Sequence, residues 1–210
     1  LKDLNSENVQ EIFERIAKNL LNNFCIKCGE TTTYFLEEIE FYYYKEGVWC
    51  DSITYKREGY NVGDFFYHLS GVDICFNCRT NAYGGLLIRS ISTTEGKIIY
   101  GPLKCLMEIL NACKNDQMPC LTDLTEPVRK QNTYDVLVSG RINLGEDAGQ
   151  YRNSKLRAVL CDKLYRDSEY KFKETMISEF LSKRIKQGMS IDEAREYAKE
   201  KLGYVPSALK

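Results

Sequence analysis

Glu38, Glu40 and Tyr42 stand two residues apart within Leu-Glu-Glu-Ile-Glu-Phe-Tyr-Tyr-Tyr-Lys, residues 36–45. On an extended chain this spacing puts two carboxylates and a phenol on one face. Ile39, Phe41 and Tyr43 fall on the other. Burial raises a carboxyl pKa, so a glutamate among aromatic and apolar neighbours is a candidate general base. The same pattern also fits a solvated edge strand with ordinary surface glutamates. The nine cysteines offer a second chemistry. Cys25/Cys28 and Cys75/Cys78 have the spacing of zinc half-sites. However, Cys75-Phe76-Asn77-Cys78 sits in a strand-like apolar run, where residues three apart face opposite sides. Reduced thiols that bind no structural metal are therefore expected. A zinc module using those four cysteines is the alternative.

The elements that must position these residues can be read in order. The chain has 210 residues, 43% of them hydrophobic, enough to bury a core. Its formal net charge of −1 excludes nucleic-acid binding by bulk charge alone. The apolar runs are too short to span a bilayer, and no secretory signal precedes the first helix. A cytoplasmic monomer without membrane contact is expected. Ser6 is read as the cap of a helix over residues 7–22, with Val9, Ile12, Phe13, Ile16, Leu20 and Leu21 as its apolar stripe. Strands are expected at 24–28 and 31–44, then a loop to residue 62. Residues 65–78 read as strand broken at Ser70-Gly71, and Leu86-Leu87-Ile88 as strand. Gly101-Pro102 opens a helix to Cys113, with proline at its favoured first position. A polar loop covers 115–133, and strands are expected within 134–144 and 156–164. From residue 169 the pattern turns helical, and Ser190 with Glu193 forms a capping box. The class is α+β: a domain over 1–168 and a helical extension over 169–210.

Four segments then fall in one order. They are Leu20-Leu21 through Glu38-Ile39-Glu40-Phe41-Tyr42; Phe66-Tyr67-His68-Leu69-Ser70-Gly71-Val72-Asp73-Ile74-Cys75-Phe76-Asn77; Leu86-Leu87-Ile88-Arg89; and Gly101-Pro102-Leu103-Lys104. Arg141-Ile142, Ala148-Gly149 and Leu156-Arg157 follow. Together they resemble the alkyladenine (3-methyladenine) DNA glycosylases of the mammalian type. The resemblance implies a curved, mostly antiparallel sheet flanked by helices. It also implies hydrolysis of the N-glycosidic bond of alkylated or damaged purines in DNA, without cofactor. No lysine nucleophile stands out, so no Schiff-base step is expected.

By that resemblance Glu40 would activate the water that attacks the sugar C1′ of an extruded nucleotide. Tyr42 and Tyr67 would sandwich the base, Asn77 would help exclude an exocyclic amine, and Arg89 would belong to the pocket. Ser70, Lys104, Arg141, Lys155 and Arg157 fall where DNA contacts are implied. The chain also departs from the pattern. Four residues after Asp51, where the family has histidine, stands Tyr55, which stacks but is no imidazole. The arginine-rich loop shrinks to Lys56-Arg57-Glu58-Gly59-Tyr60, and Ser70 replaces the tyrosine that wedges into DNA. His68 matches no family role. Weak binding to intact duplex and a preference for mismatched, single-stranded or mononucleotide substrates are expected, unless Tyr60 or Phe65 supplies the wedge or Lys155 and Arg157 clamp the backbone. A hydrolase of nucleosides or single-stranded nucleic acid, and a non-catalytic binding protein, remain alternatives.

Overall fold

Strand β2, Thr32–Lys45, is paired along both edges. One edge holds β6 (Ala82–Thr93); the other holds β1 (Phe24–Cys28), β10 (Arg157–Leu160) and the short β3 (Trp49–Cys50). The computed structural model describes residues 5–79, 81–113, 117–124, 135–160 and 173–210, except the side chains of 78 and 79. Among these the sheet has ten strands, and every pairing is antiparallel. Beyond β6 lie β5 (Gly71–Arg79) and β4 (Phe65–His68); β7 (Ile98–Tyr100) also pairs with β6. Beyond β1 lies β8 (Cys120–Asp123), and beyond β10 lies β9 (Val136–Ser139). The sheet is curved, and the fold is α+β as the sequence predicts.

The alternation in β2 divides the sheet into two faces. Ile39, Phe41 and Tyr43 join the main core with Ile74, Leu86, Ile88 and Ala158. Helix α1 (Val9–Asn23) covers this face with Val9, Phe13, Ala17 and Leu21, and Phe13 stacks on Phe41 at 4.7 Å. Helix α2 (Pro102–Ala112) adds Cys105, Leu106 and Ile109. The cap of α1 is Asn8, not Ser6. Asn5 Oδ1 accepts from the backbone N–H groups of Glu7 and Asn8, 3.0 Å each, ahead of the helix.

The C-terminal helices α3 (Lys173–Lys186) and α4 (Ile191–Leu202) pack on the sheet through a second cluster. Met176, Ile177, Leu181, Ala194 and Ala198 bury Leu137 of β9 and Val159 of β10. Val159 pairs with Glu38, so these helices close one end of the face opposite the main core. Residues 169–172, where the helical pattern is read to begin, lie outside the described residues. The capping box at Ser190 is formed, with Glu193 N–H to Ser190 Oγ at 3.2 Å and Ser190 N–H to Glu193 Oε2 at 2.8 Å. The polar stretch 115–133 is not all loop: Cys120–Asp123 is strand β8 beside β1. Among the described residues no helix is long and apolar enough to cross a membrane.

Candidate active site

Residues paired across an antiparallel sheet send their side chains to the same face. Phe66, Asp73, Leu87, Glu40 and Arg157 are successive partners across β4, β5, β6, β2 and β10. They form one row on the face opposite the main core. The row carries two carboxylates separated by Leu87. Strands lie about 4.8 Å apart, so Asp73 and Glu40 leave the sheet roughly 10 Å from one another.

Glu40 is 0% exposed and Glu38 3%, on a central strand, which overturns the reading of a solvated edge face. Glu40 Oε2 accepts from the Tyr42 hydroxyl at 3.1 Å and from Arg89 Nη1 at 3.1 Å. Its Oε1 accepts from the Ile142 backbone N–H at 3.0 Å. Asn143 follows with φ 58, a left-handed conformation that asparagine tolerates. Burial pushes the Glu40 pKa up and outweighs the opposing pull of Arg89 and the Ile142 amide. Burial also raises the Tyr42 hydroxyl, helped by the Glu40 charge, so the phenol stays protonated and donates.

A β-bulge aims the arginine. Ile88 pairs with Ile39 but Ser90 pairs with Glu38, which leaves Arg89 as the extra residue on β6. Its guanidinium reaches both acids, with Nε 3.5 Å from Glu38 Oε1. Glu38 is held further by Arg157 Nε at 2.6 Å and Ser90 Oγ at 3.0 Å. A matching slip leaves Glu37 unpaired in register, and it bonds Ser92 Oγ.

Tyr42 is fixed from behind. Arg141 lies 4.8 Å over its ring, a cation–π contact. Arg141 is itself buried, 2.6 Å from Asp51 and bonded to the Tyr151 carbonyl at 3.0 Å. Burial raises the Asp51 pKa against the pull of Arg141. The chain Asp51–Arg141–Tyr42–Glu40 thus holds one aromatic face rigidly and leaves the other for a ligand.

The second carboxylate has its own frame. Asp73 Oδ2 pairs with Arg57, which is fully buried, and Oδ1 lies 3.2 Å from His68 Nε2. His68 Nδ1 accepts from the Ser70 N–H at 3.2 Å, so Nε2 carries the proton toward Asp73. Arg57 stacks 5.2 Å from Phe66, and Tyr55 lies 4.9 Å from His68. Room for Arg57 exists because residue 85 is glycine: a Cβ there would overlap the guanidinium. Gly85→Ala should therefore displace the Arg57 guanidinium beside Asp73 and cost about 1–3 kcal/mol, the usual penalty for overpacking a filled interior. Gly140→Ala, whose Cβ meets nothing within 4 Å, is the control. Urea melts of the two variants should differ clearly in midpoint; equal midpoints would contradict this packing.

A cavity of about 870 Å³ lies between the two centres. Tyr42, Leu87, Arg89 and Ile142 line one side, and Tyr55, Lys56, His68, Ser70 and Asp73 another. Glu40 lies behind the first group, bonded to three of its four members. Of the expected base-binding residues, Tyr42, Tyr55 and Arg89 line the cavity, and Tyr67 and Asn77 do not. Tyr67 pairs with Val72 and packs into the main core, while its neighbours Phe66 and His68 turn to the site. Asn77 bonds the hydroxyl of Tyr43, a core residue.

Among the expected DNA contacts only Ser70 borders the cavity. Lys104 is exposed on α2 beside Leu103 and Met107, away from the cavity. Arg141 and Arg157 are internal, spent on Asp51 and Glu38, and cannot reach a phosphate. Lys155 points to Glu179 of α3 at 3.5 Å. Of the proposed wedges, Phe65 is buried in the core and Tyr60 packs edge-on against Phe66. Leu69, at the two-residue turn between β4 and β5, is 97% exposed. Cys25 and Cys28 join separate apolar clusters, and the Cys78 side chain lies outside the described residues. Asp73, Arg57 and His68 escaped sequence reasoning, since only pairing across β4, β5 and β6 assembles them.

No protein-family model matches the chain, and no curated protein matches it.

Proposed function

We propose that this protein is a monofunctional N-glycosidic hydrolase that releases damaged or alkylated purines from DNA. The observation that carries the reading is Glu40: a buried carboxylate directly behind the wall of a cavity of about 870 Å³, room enough for a nucleotide, and held by three of the groups that line it, Tyr42, Arg89 and Ile142. The order of motifs that resembles the alkyladenine glycosylases points to the same chemistry. An extruded nucleotide would lie with its base between Tyr42 and the Tyr55–His68 wall. Oε1, which has one hydrogen bond from Ile142, keeps a lone pair for water. As the bond from C1′ to the base nitrogen breaks, its electron pair leaves with the purine. The water oxygen bonds C1′, and its proton passes to Glu40 and then to solvent. An alkylated, cationic purine departs neutral, which lowers the barrier and suits an aromatic sandwich.

Leu69 is proposed to contact DNA in place of Ser70. It stands at the turn whose other residue lines the cavity, and leucine is among the apolar side chains that wedge between base steps. Lys56, exposed at the rim, would meet phosphate. A second reading, a hydrolase of nucleosides or single-stranded nucleic acid, is favoured by the internal placement of Arg141 and Arg157, which leaves few cations to hold a duplex. Release from single strand, duplex and nucleoside at one salt concentration separates the two.

The base must be ionised to work, and burial raises its pKa. Activity should therefore fall as pH drops through a value above that of an ordinary glutamate, with Glu38, Arg89, Arg157 and Tyr42 as the charged and titratable neighbours. A kcat/KM profile should show this acid limb. A profile flat to the ordinary carboxylate range would contradict Glu40 as the base.

A further inference from the structure

Asp73 is a cavity-lining carboxylate that the hydrolytic step does not use. It sits on the same row as Glu40, two strands away, with Leu87 between them. It is almost fully buried, yet it borders the cavity. Arg57 and His68 hold its two oxygens from the protein side, one contact each. A carboxylate offers about four acceptor positions, so two stay open. A carboxylate oxygen that faces a ligand is an acceptor only, so it discriminates sharply: it attracts N–H and repels a carbonyl oxygen. His68 cannot replace it as the ligand's partner, because both ring nitrogens are engaged, by Asp73 and by the Ser70 N–H.

A purine whose C1′ lies near Glu40 would direct its six-membered ring across Leu87 toward Asp73. The substituent at ring position 6 is then the group that meets the carboxylate. Asn77, the side chain expected to exclude an amine, has no place in this cavity, because it is bonded to Tyr43 in the core. We propose that Asp73 is the specificity-determining acceptor of the cavity, selecting 6-aminopurines and rejecting 6-oxopurines. The inference rests on the reading of the cavity as a purine pocket.

Free bases test it without turnover. Adenine and hypoxanthine differ at position 6, and each is titrated calorimetrically into the wild-type protein. Adenine should bind about 10- to 100-fold more tightly, the worth of a hydrogen bond to a charged group. Asp73→Asn, with the fold checked by circular dichroism, should bring the two affinities together; a merely structural Asp73 would leave their ratio unchanged. Because that variant strands Arg57 and could fail to fold, the wild-type ratio stands as an independent criterion. Equal wild-type binding, or tighter binding of hypoxanthine, overturns the inference alone. Base release from methylated DNA, which reads the hydrolase proposal, is unaffected by that result. Absence of binding by either base overturns the inference and the purine pocket together.

Discussion

Glu40→Gln should keep the fold and lose base release by about 100- to 10,000-fold, the usual contribution of a positioned general base. The amide is nearly the same size; its carbonyl oxygen can still accept from Arg89 and Tyr42, while its NH2 group cannot accept the Ile142 N–H, so one hydrogen bond is lost. It cannot take a proton from water. Arg89 is not stranded by the change, since Glu38 lies 3.5 Å from its Nε. Binding of a purine base should persist, because Tyr42, Tyr55 and His68 line the cavity independently of the Glu40 charge. The check is a single-turnover assay beside a thermal melt. Full activity in a folded Glu40→Gln variant would transfer the role to another carboxylate, with Glu38 first in line.

Leu69→Ala should slow release from perfect duplex by about 10- to 100-fold while leaving single-stranded DNA within about twofold. Burying a leucine side chain is worth roughly 1.5–3 kcal/mol, the range behind that factor. Extruding a base from duplex costs a few kcal/mol, and an apolar wedge in the gap offsets part of it. A single strand has no such gap. Leu69 is almost wholly exposed in the free protein, so its removal takes nothing from the core. Leucine is smaller than tyrosine, so even the wild type should release faster from a mismatch or a single strand. Equal loss on both substrates would mean that Leu69 acts on something other than extrusion. No loss on either would return the wedge to Tyr60.

Much of the fold follows from local pattern. The alternation of Glu38, Glu40 and Tyr42 against Ile39, Phe41 and Tyr43 survives because β2 is paired on both edges, and its apolar face meets α1. Ser190 and Glu193 are three residues apart, so their capping box was legible as well. What escaped depends on register. A one-residue change of register sends a side chain to the opposite face. Tyr67 was expected at the base, but its partner Val72 takes it into the core and sends His68 to the cavity. Arg89 reaches Glu40 through a bulge that no spacing rule announces. Arg141 and Arg157 read as free cations until long-range pairing supplies Asp51 and Glu38, the latter 119 residues away. Short strands such as β7 and β8 gain their stability from neighbours rather than from their own sequence.

The most direct measurement is release of free base from chemically methylated DNA by purified protein, read by mass spectrometry. Wild-type protein should liberate methyladenine from single-stranded and duplex DNA above the spontaneous rate, leave abasic sites without cutting the backbone, and do neither when Glu40 is glutamine. A folded wild-type protein that releases no base from DNA or from nucleosides would contradict N-glycosidic hydrolysis at this cavity.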